Sequence, residues 1–134
     1  MRVAGGCHCG AIVFAAEVDP QRVSICHCTD CQLLTGSAYR VTVPAARSDF
    51  TLTRGTPRTY VKTAASGARR LQAFCGDCGS PLYAADADDA ADEVGLRVGT
   101  IAERAALKPV RQIWCGSALA WSQDLTALPK REGE

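Results

Sequence analysis

The sequence predicts a mainly β fold: one small domain over residues 1–134, made of curved antiparallel sheets with one or two short helical turns. The chain has 134 residues, which suits one domain with a core of its own. Short segments rich in β-branched and aromatic residues recur along it, and turn residues separate them. Helix signals are few and short, and no repeat or linker divides the chain.

Seven segments have the composition or the partial alternation that is typical of strands. They are AIVFAAEV (11–18), RVSIC (22–26), SAYRVTVP (37–44), DFTLTR (49–54), TYVKT (59–63), RRLQAFC (69–75) and VGLRVGTI (94–101). The residues AASGA (64–68) predict a hairpin turn between the fifth and sixth of them. The segment TDCQLLTG (29–36) predicts the helical turns, with Thr29 as the N-cap and Gly36 as the terminator.

Composition argues against several classes of partner. The formal net charge is +1, whereas nucleic-acid binding usually needs a strongly basic surface. No apolar run approaches the roughly 18 residues that a membrane span needs. The N-terminal stretch MRVAGGCHCG has no long apolar segment of a secretory signal. We therefore expect a cytoplasmic protein without nucleic-acid or membrane partners, and the oligomeric state stays open.

Eight cysteines are the outlying feature of the composition. Seven of them fall in three tight groups, CHC (7–9), CHCTDC (26–31) and CGDC (75–78). Cysteines one residue apart are poorly placed to bridge each other but can share an ion. Nothing in the sequence directs the chain to an oxidising compartment, where disulfides persist. The pattern therefore favours zinc–cysteine sites over disulfides.

The first and third groups together predict a closed, structural zinc site. Sulfurs that share one zinc must lie within about 4 Å of one another, so the backbone has to curl around the ion. Glycines flank both groups and permit such curls. The predicted ligands are Cys7, Cys9, Cys75 and Cys78. A rival pairing would join the first group to the second, and it would leave the third group without enough partners.

The second group offers three ligands, Cys26, Cys28 and Cys31. Three protein ligands with an exchangeable fourth are typical of a catalytic zinc site, so water or a substrate thiol is expected in the fourth position. Cys115 is an alternative fourth ligand that would make the site structural, although its apolar surroundings also suit a buried free thiol. His8 and His27 each lie between two ligands, so their side chains should face solvent or support the site from behind.

The order GCHCG (6–10), CHCTDCQLLTGSAY (26–39) and FCGDCGSPLY (74–83) resembles the glutathione-dependent formaldehyde-activating (GFA) family, which shares its domain with centromere protein V. The resemblance implies a mainly β fold with two zinc sites. Carried over by position, it implies the same structural four-cysteine site and a catalytic site at the triplet. It also implies a carbon–sulfur lyase that joins glutathione to formaldehyde as S-hydroxymethylglutathione.

The chain departs from that family at two positions. Gln32 stands where members often carry a basic residue, and Gln112 stands where a histidine is expected before the matching tryptophan, Trp121.

The expected partners are a small thiol such as glutathione and a small aldehyde. Candidates to hold the carboxylates of glutathione are Arg40, Arg69 and Arg70. A non-enzymatic zinc-binding module with a structural or interaction role is the alternative, and a redox or metal-sensing thiol cluster is a third possibility.

Overall fold

The computed structural model describes residues 1–89 and 91–134, and it confirms the mainly β fold. The strands are β1 (Arg2–Gly6), β2 (Val13–Glu17), β3 (Ser24–Cys26), β4 (Arg40–Ala46), β5 (Phe50–Arg54), β6 (Arg58–Thr63), β7 (Arg69–Phe74), β8 (Pro81–Asp86), β9 (Glu93–Arg97) and β10 (Arg111–Ile113). One α-helix, α1 (Thr29–Thr35), occurs in these ranges. Short 3-10 turns cover Pro20–Arg22, Arg47–Asp49, Val98–Thr100, Arg104–Ala106, Cys115–Ser117 and Ala120–Gln123.

The strands form two sheets. A three-stranded sheet has the order β1-β2-β5, and a seven-stranded sheet has the order β10-β3-β4-β9-β8-β7-β6. Every pairing is antiparallel except that of β10 with β3, which is parallel. Register shifts in β2 and β7 mark bulges, which bend the strands. The hairpin turn expected at 64–68 joins β6 to β7, with Gly67 at φ 87°.

The large sheet has one apolar and one polar face, because side chains alternate along each strand. Val43 of β4 and Leu96 of β9 are register partners and lie in the core. Their neighbours Thr42 and Arg97 are also register partners, and they point to the opposite face. The fold thus leaves one face of the large sheet for a polar site.

The core lies between the apolar face and the small sheet. Phe14 of β2 is fully buried and packs against Phe50, with ring centroids 5.8 Å apart, and Phe50 continues to Tyr83 at 4.9 Å. Gly5 of β1 has no room for a side chain, since a Cβ there would collide with the Phe14 ring and the Thr100 carbonyl. Close packing of this kind fixes the small sheet against the large one. Within the two described ranges, no helix combines the length and apolar character that crossing a membrane requires.

Candidate functional site: two cysteine clusters and a cationic cavity

The structure brings together the four cysteines that the sequence pairs across the chain. The sulfurs of Cys7, Cys9, Cys75 and Cys78 lie within 4.8 Å of one another, with 3.6 Å between Cys7 and Cys9 and 3.7 Å between Cys9 and Cys75. The rival pairing of the first and second groups is not formed. We refer to these residues as the four-cysteine cluster.

Two similar turns build this cluster. The Gly10 N–H donates to the Cys7 carbonyl at 3.1 Å, and the Gly79 N–H donates to the Cys75 carbonyl at 2.9 Å. Both glycines have positive φ, 79° and 76°, where a side chain would be strained. The Ile12 N–H donates to the Cys7 sulfur at 3.2 Å, which offsets the charge of a thiolate.

Ser80 joins the two turns of the four-cysteine cluster. Its hydroxyl oxygen accepts a hydrogen bond from the His8 N–H at 3.0 Å and lies 3.2 Å from the Cys78 sulfur. The hydrogen bond with this hydroxyl, and then those with the backbone of Cys9 and Ser80, lower the pKa of Cys78 to about 5. A thiol with such a pKa is deprotonated at neutral pH, which is the state in which it binds a metal.

The second cluster, which we call the triplet, is built by one continuous segment. Cys26 ends β3, Cys28 precedes α1, and Cys31 lies in the first turn of α1. All three are half-buried, and their sulfurs lie within 4.8 Å of one another. Thr29 is not the N-cap of the helix, because the sulfur of Cys28 accepts from the Cys31 N–H at 3.3 Å and takes that role. Gly36 ends the helix at φ 62°, as expected.

The triplet thiols influence each other's protonation. Burial, followed by hydrogen bonds with Cys28 and Cys26, raises the pKa of Cys31 to about 12. Burial also acts to raise the pKa of Cys28, but the Cys31 N–H, the neighbouring thiols and the Lys62 charge outweigh it, so that pKa lies below its ordinary value. Three sulfurs this close together can all be thiolates at neutral pH only with a cation among them, and the triplet therefore fits a metal ion.

Neither histidine belongs to a cluster, and they differ in exposure. His8 is exposed, whereas His27 is only 1% exposed, so of the two expected positions His8 takes the solvent-facing one and His27 the buried one. The His27 ring lies edge-on to Tyr39, with centroids 5.5 Å apart. Its Nε2 shares a hydrogen bond of 2.7 Å with the Gln112 side-chain oxygen. His27 thus lies behind the triplet and connects it to β10.

The two glutamines that depart from the family pattern have structural roles. Gln112 holds His27, as described above. The side-chain amide of Gln32 donates to the His27 carbonyl at 2.9 Å and to the Ser117 carbonyl at 3.0 Å. The two glutamines therefore fasten β10 and the segment that follows it to the loop that carries the triplet.

Cys115 is neither a fourth member of the triplet nor a buried thiol, so both expectations for it are wrong. It is exposed and begins a 3-10 turn, directly after Trp114 at φ 56°. This left-handed residue turns the chain at the surface, where neighbouring apolar residues do not cover the thiol. Among residues 1–89 and 91–134, the triplet has three protein sulfurs and no fourth.

The triplet opens onto a cavity of about 290 Å³ on the polar face of the large sheet. Its lining includes the three triplet cysteines and four cationic residues, Arg40, Lys62, Arg70 and Arg97. These cations come from four strands, β4, β6, β7 and β9. Small side chains leave room between them, because Ala84 is a lining residue and its register partner in β9 is Gly95.

The cavity only partly matches the cations expected from sequence. Arg40 and Arg70 line it, but Arg69 does not, because it is exposed and forms an ion pair of 2.7 Å with Asp88. Adjacent residues of one strand point to opposite faces, which explains why Arg69 and Arg70 differ. Lys62 and Arg97 were missed. Their alternation along β6 and β9 is visible in the sequence, but the register that brings them together is not.

Arg40 and Arg97 are buried, with exposed fractions of 5% and 9%. The side-chain oxygen of Gln72 accepts from both, at 3.1 Å from Arg40 Nη1 and 2.8 Å from Arg97 Nη2. Arg97 also donates to the Thr42 hydroxyl at 3.0 Å. Burial and then the charge of Arg40 lower the pKa of Arg97 to about 9. Within the described residues, neither guanidinium forms an ion pair with a carboxylate.

Comparison with solved structures supports the fold. A crystal structure of a Rhodobacter sphaeroides protein, a structural genomics target, is 21% identical to this chain with a TM-score of 0.63. The match covers 81% of this chain and 98% of that one, so the two proteins share a fold. No curated protein matches the chain significantly. The model of the family described as glutathione-dependent formaldehyde-activating enzyme matches residues 2–117, and the chain therefore belongs to the GFA family.

Proposed function

We propose that the protein binds one zinc ion at each cysteine cluster. Cys7, Cys9, Cys75 and Cys78 would hold a structural ion, and the triplet would hold a second ion with one open position. Zinc–sulfur bonds of about 2.3 Å in a tetrahedron place the sulfurs about 3.8 Å apart. The sulfur separations of 3.6 and 3.7 Å in the four-cysteine cluster agree with that spacing. A donor set made only of thiolates also suits zinc.

The protein is proposed to be a carbon–sulfur lyase that acts on the adduct of a small thiol and a small aldehyde, such as S-hydroxymethylglutathione. One observation carries this proposal: the triplet has no fourth protein sulfur in the described ranges, and it faces a cavity lined by four cations. A closed fourth position would instead favour the non-enzymatic zinc module. Family membership agrees with a thiol and an aldehyde as substrates. Free thiols suit a cytoplasmic protein, and we propose that location for this single domain.

The reaction needs little more than positioning. In the direction of adduct formation, the thiol sulfur forms a bond to the aldehyde carbon, and the π electron pair of the C=O bond moves to oxygen. The thiol proton leaves to solvent, and the oxygen takes a proton from water. Zinc bound at the triplet would keep the substrate sulfur as a thiolate near neutral pH.

The chain's own cations have two tasks in this reaction. Arg40, Lys62, Arg70 and Arg97 attract an anionic substrate into the cavity, and their charges stabilise the thiolate and the negative oxygen. Lys62 is held in place by an ion pair of 2.8 Å with Asp30. Asp30 lies in the first turn of α1, between Cys28 and Cys31, so Lys62 is fixed next to the triplet. Since thiols add to formaldehyde unaided, correct placement of the two reactants can supply the required acceleration.

The test is the rate at which glutathione, formaldehyde and their adduct exchange, measured by NMR exchange spectroscopy with zinc-loaded protein. Wild type should speed the exchange above that in buffer. Cys28→Ser should bind one zinc per chain in place of two and lose the acceleration. Cys115→Ala is the matched control, since this exposed cysteine lies outside both clusters, and it should keep both zinc and activity. Wild type with two zinc ions that speeds the exchange neither with glutathione nor with a shorter thiol would overturn the lyase proposal.

A further inference from the structure

We infer that Arg40, Arg97 and Gln72 form a subsite for one carboxylate of the substrate, next to the triplet. This inference rests on the proposed function and narrows the substrate class to thiol–aldehyde adducts that carry a carboxylate close to the reacting sulfur. The observation behind this inference is that buried guanidinium N–H groups of Arg40 and Arg97 have no hydrogen-bond acceptor.

The two guanidiniums have more donors than the protein satisfies. The Nε atoms of Arg40 and Arg97 are buried and have no hydrogen-bond partner. Arg40 Nη2 also donates to no described residue, and neither guanidinium donates to a triplet sulfur. Unsatisfied buried donors are costly, and those on charged groups most of all. An oxyanion is the ligand that satisfies several guanidinium donors at once.

Gln72 positions the guanidiniums of Arg40 and Arg97 without neutralising their positive charge. Its neutral side-chain oxygen lies between Arg40 and Arg97 and holds two like charges together. A structural arginine pair would normally have a carboxylate in that position. Of the acids nearby, Asp30 pairs with Lys62, and Asp86 lies opposite Arg70 in β8 and is not a lining residue. The positive charge of Arg40 and Arg97 is therefore directed at the cavity.

The position and size of the subsite favour a short acid. Arg40 is the register partner of Cys26, so the pair lies beside the metal ligands. The cavity of about 290 Å³ falls at the lower limit of ordinary ligand sites, about 300–1,000 Å³. In glutathione both carboxylates are separated from the sulfur by an amide bond, whereas in a short mercapto acid the carboxylate is only a few bonds away. The geometry suits the short acid better.

Isothermal calorimetry on zinc-loaded protein tests whether the thiol part of the adduct carries the carboxylate. The two probes, mercaptopropionate and mercaptopropanol, have nearly equal shape and differ in the carboxylate. Hydrogen bonds to charged groups predict about 10- to 100-fold tighter binding of the acid. Gln72→Glu keeps the side-chain shape and supplies an internal carboxylate, so it should abolish this preference while two zinc ions per chain remain bound. Arg69→Gln, on the same strand but facing away, should keep the preference.

The carboxylate of the adduct can also come from the aldehyde rather than from the thiol. A second pair of probes tests that possibility. With mercaptopropanol as the thiol, glyoxylate should be preferred over acetaldehyde if that half supplies the acid. Equal binding within both probe pairs, or a preference that survives Gln72→Glu, overturns the inference and leaves the lyase proposal standing. If no thiol binds but propionate binds to wild type and not to Gln72→Glu, the subsite is supported and the lyase proposal fails.

Discussion

Replacement of Cys78 by serine should destabilise the domain far more than replacement of a triplet cysteine. The four-cysteine cluster links the turn after β1 to the turn after β7, and Cys9 and Cys75 are 66 positions apart in the chain. A cross-link that closes a loop of this length stabilises by about 4 kcal/mol through the lost entropy of the unfolded chain. That is a large part of the roughly 5–15 kcal/mol by which a domain is stable.

The triplet closes only short loops, because Cys26 and Cys31 are five positions apart and belong to one segment. Its loss should cost little chain entropy. β3 keeps its pairing with both β4 and β10 in any case. We therefore expect the melting temperature to fall by roughly 10–20 °C in Cys78→Ser and by only a few degrees in Cys28→Ser. These shifts follow from the change in the free energy of unfolding and the usual relation between the two quantities for domains of this size.

The assay is thermal unfolding by circular dichroism, with the zinc content of each protein measured on the same samples. Each variant should hold one zinc per chain if wild type holds two, so metal loss alone cannot explain a difference in stability. A Cys78→Ser protein that melts within a few degrees of wild type would refute the structural role of the four-cysteine cluster. Unfolding of Cys28→Ser would refute the division of labour between the two clusters.

Two other predictions concern contacts outside the clusters. Gln32→Ala removes two hydrogen bonds, to the His27 and Ser117 carbonyls, and should cost about 1–3 kcal/mol in the free energy of unfolding; hydrogen exchange should accelerate in residues 111–123, and unchanged exchange there would contradict the role of Gln32. The Arg22 guanidinium holds the pKa of Glu93 below its ordinary value through a hydrogen bond of 2.6 Å. Since the unfolded chain takes up this proton first, the stabilisation is present above the ordinary pKa and is lost as pH falls through the folded value. The difference in melting temperature between wild type and Glu93→Gln should therefore shrink as pH falls below the ordinary glutamate pKa of about 4.3 and disappear once Glu93 is protonated in the folded protein. A difference that does not shrink with falling pH would show that it is not electrostatic.

The parts of the site that depend on local chemistry could be predicted from the sequence. Cysteine spacing and flanking glycines point to both clusters, because the curl that brings Cys7 next to Cys9 is a property of a few adjacent residues. Alternation likewise predicted most strands. The strands β1, β8 and β10 were not predicted, and the parallel pairing of β10 with β3 has no local signal.

The cavity could not be predicted, because it depends on register. Arg40, Lys62 and Arg97 come from three strands, and a shift of one residue in any strand would turn its cation to the opposite face of the sheet. The exposure of Cys115 was missed for a related reason. Its apolar neighbours suggested burial, but the left-handed conformation of Trp114 leaves the turn at the surface.

The two clusters differ in the way each depends on the rest of the fold, and that difference would let one domain hold a fixed metal at one cluster and the proposed exchangeable ligand at the other. The four-cysteine cluster joins distant parts of the chain, so a metal ion bound there would contribute directly to folding. The triplet is held by protein contacts on both sides. Gln112 fastens its loop to β10, and Gln32 fastens it to the segment after β10. On the other side, β4 pairs with β3, the strand that ends in Cys26. Because these contacts do not involve the sulfurs, the fourth ligand of a metal ion at the triplet could change without loosening the domain. Under the proposed function, a substrate thiol would enter and leave at that position while the cations of β4, β6, β7 and β9 stay in place.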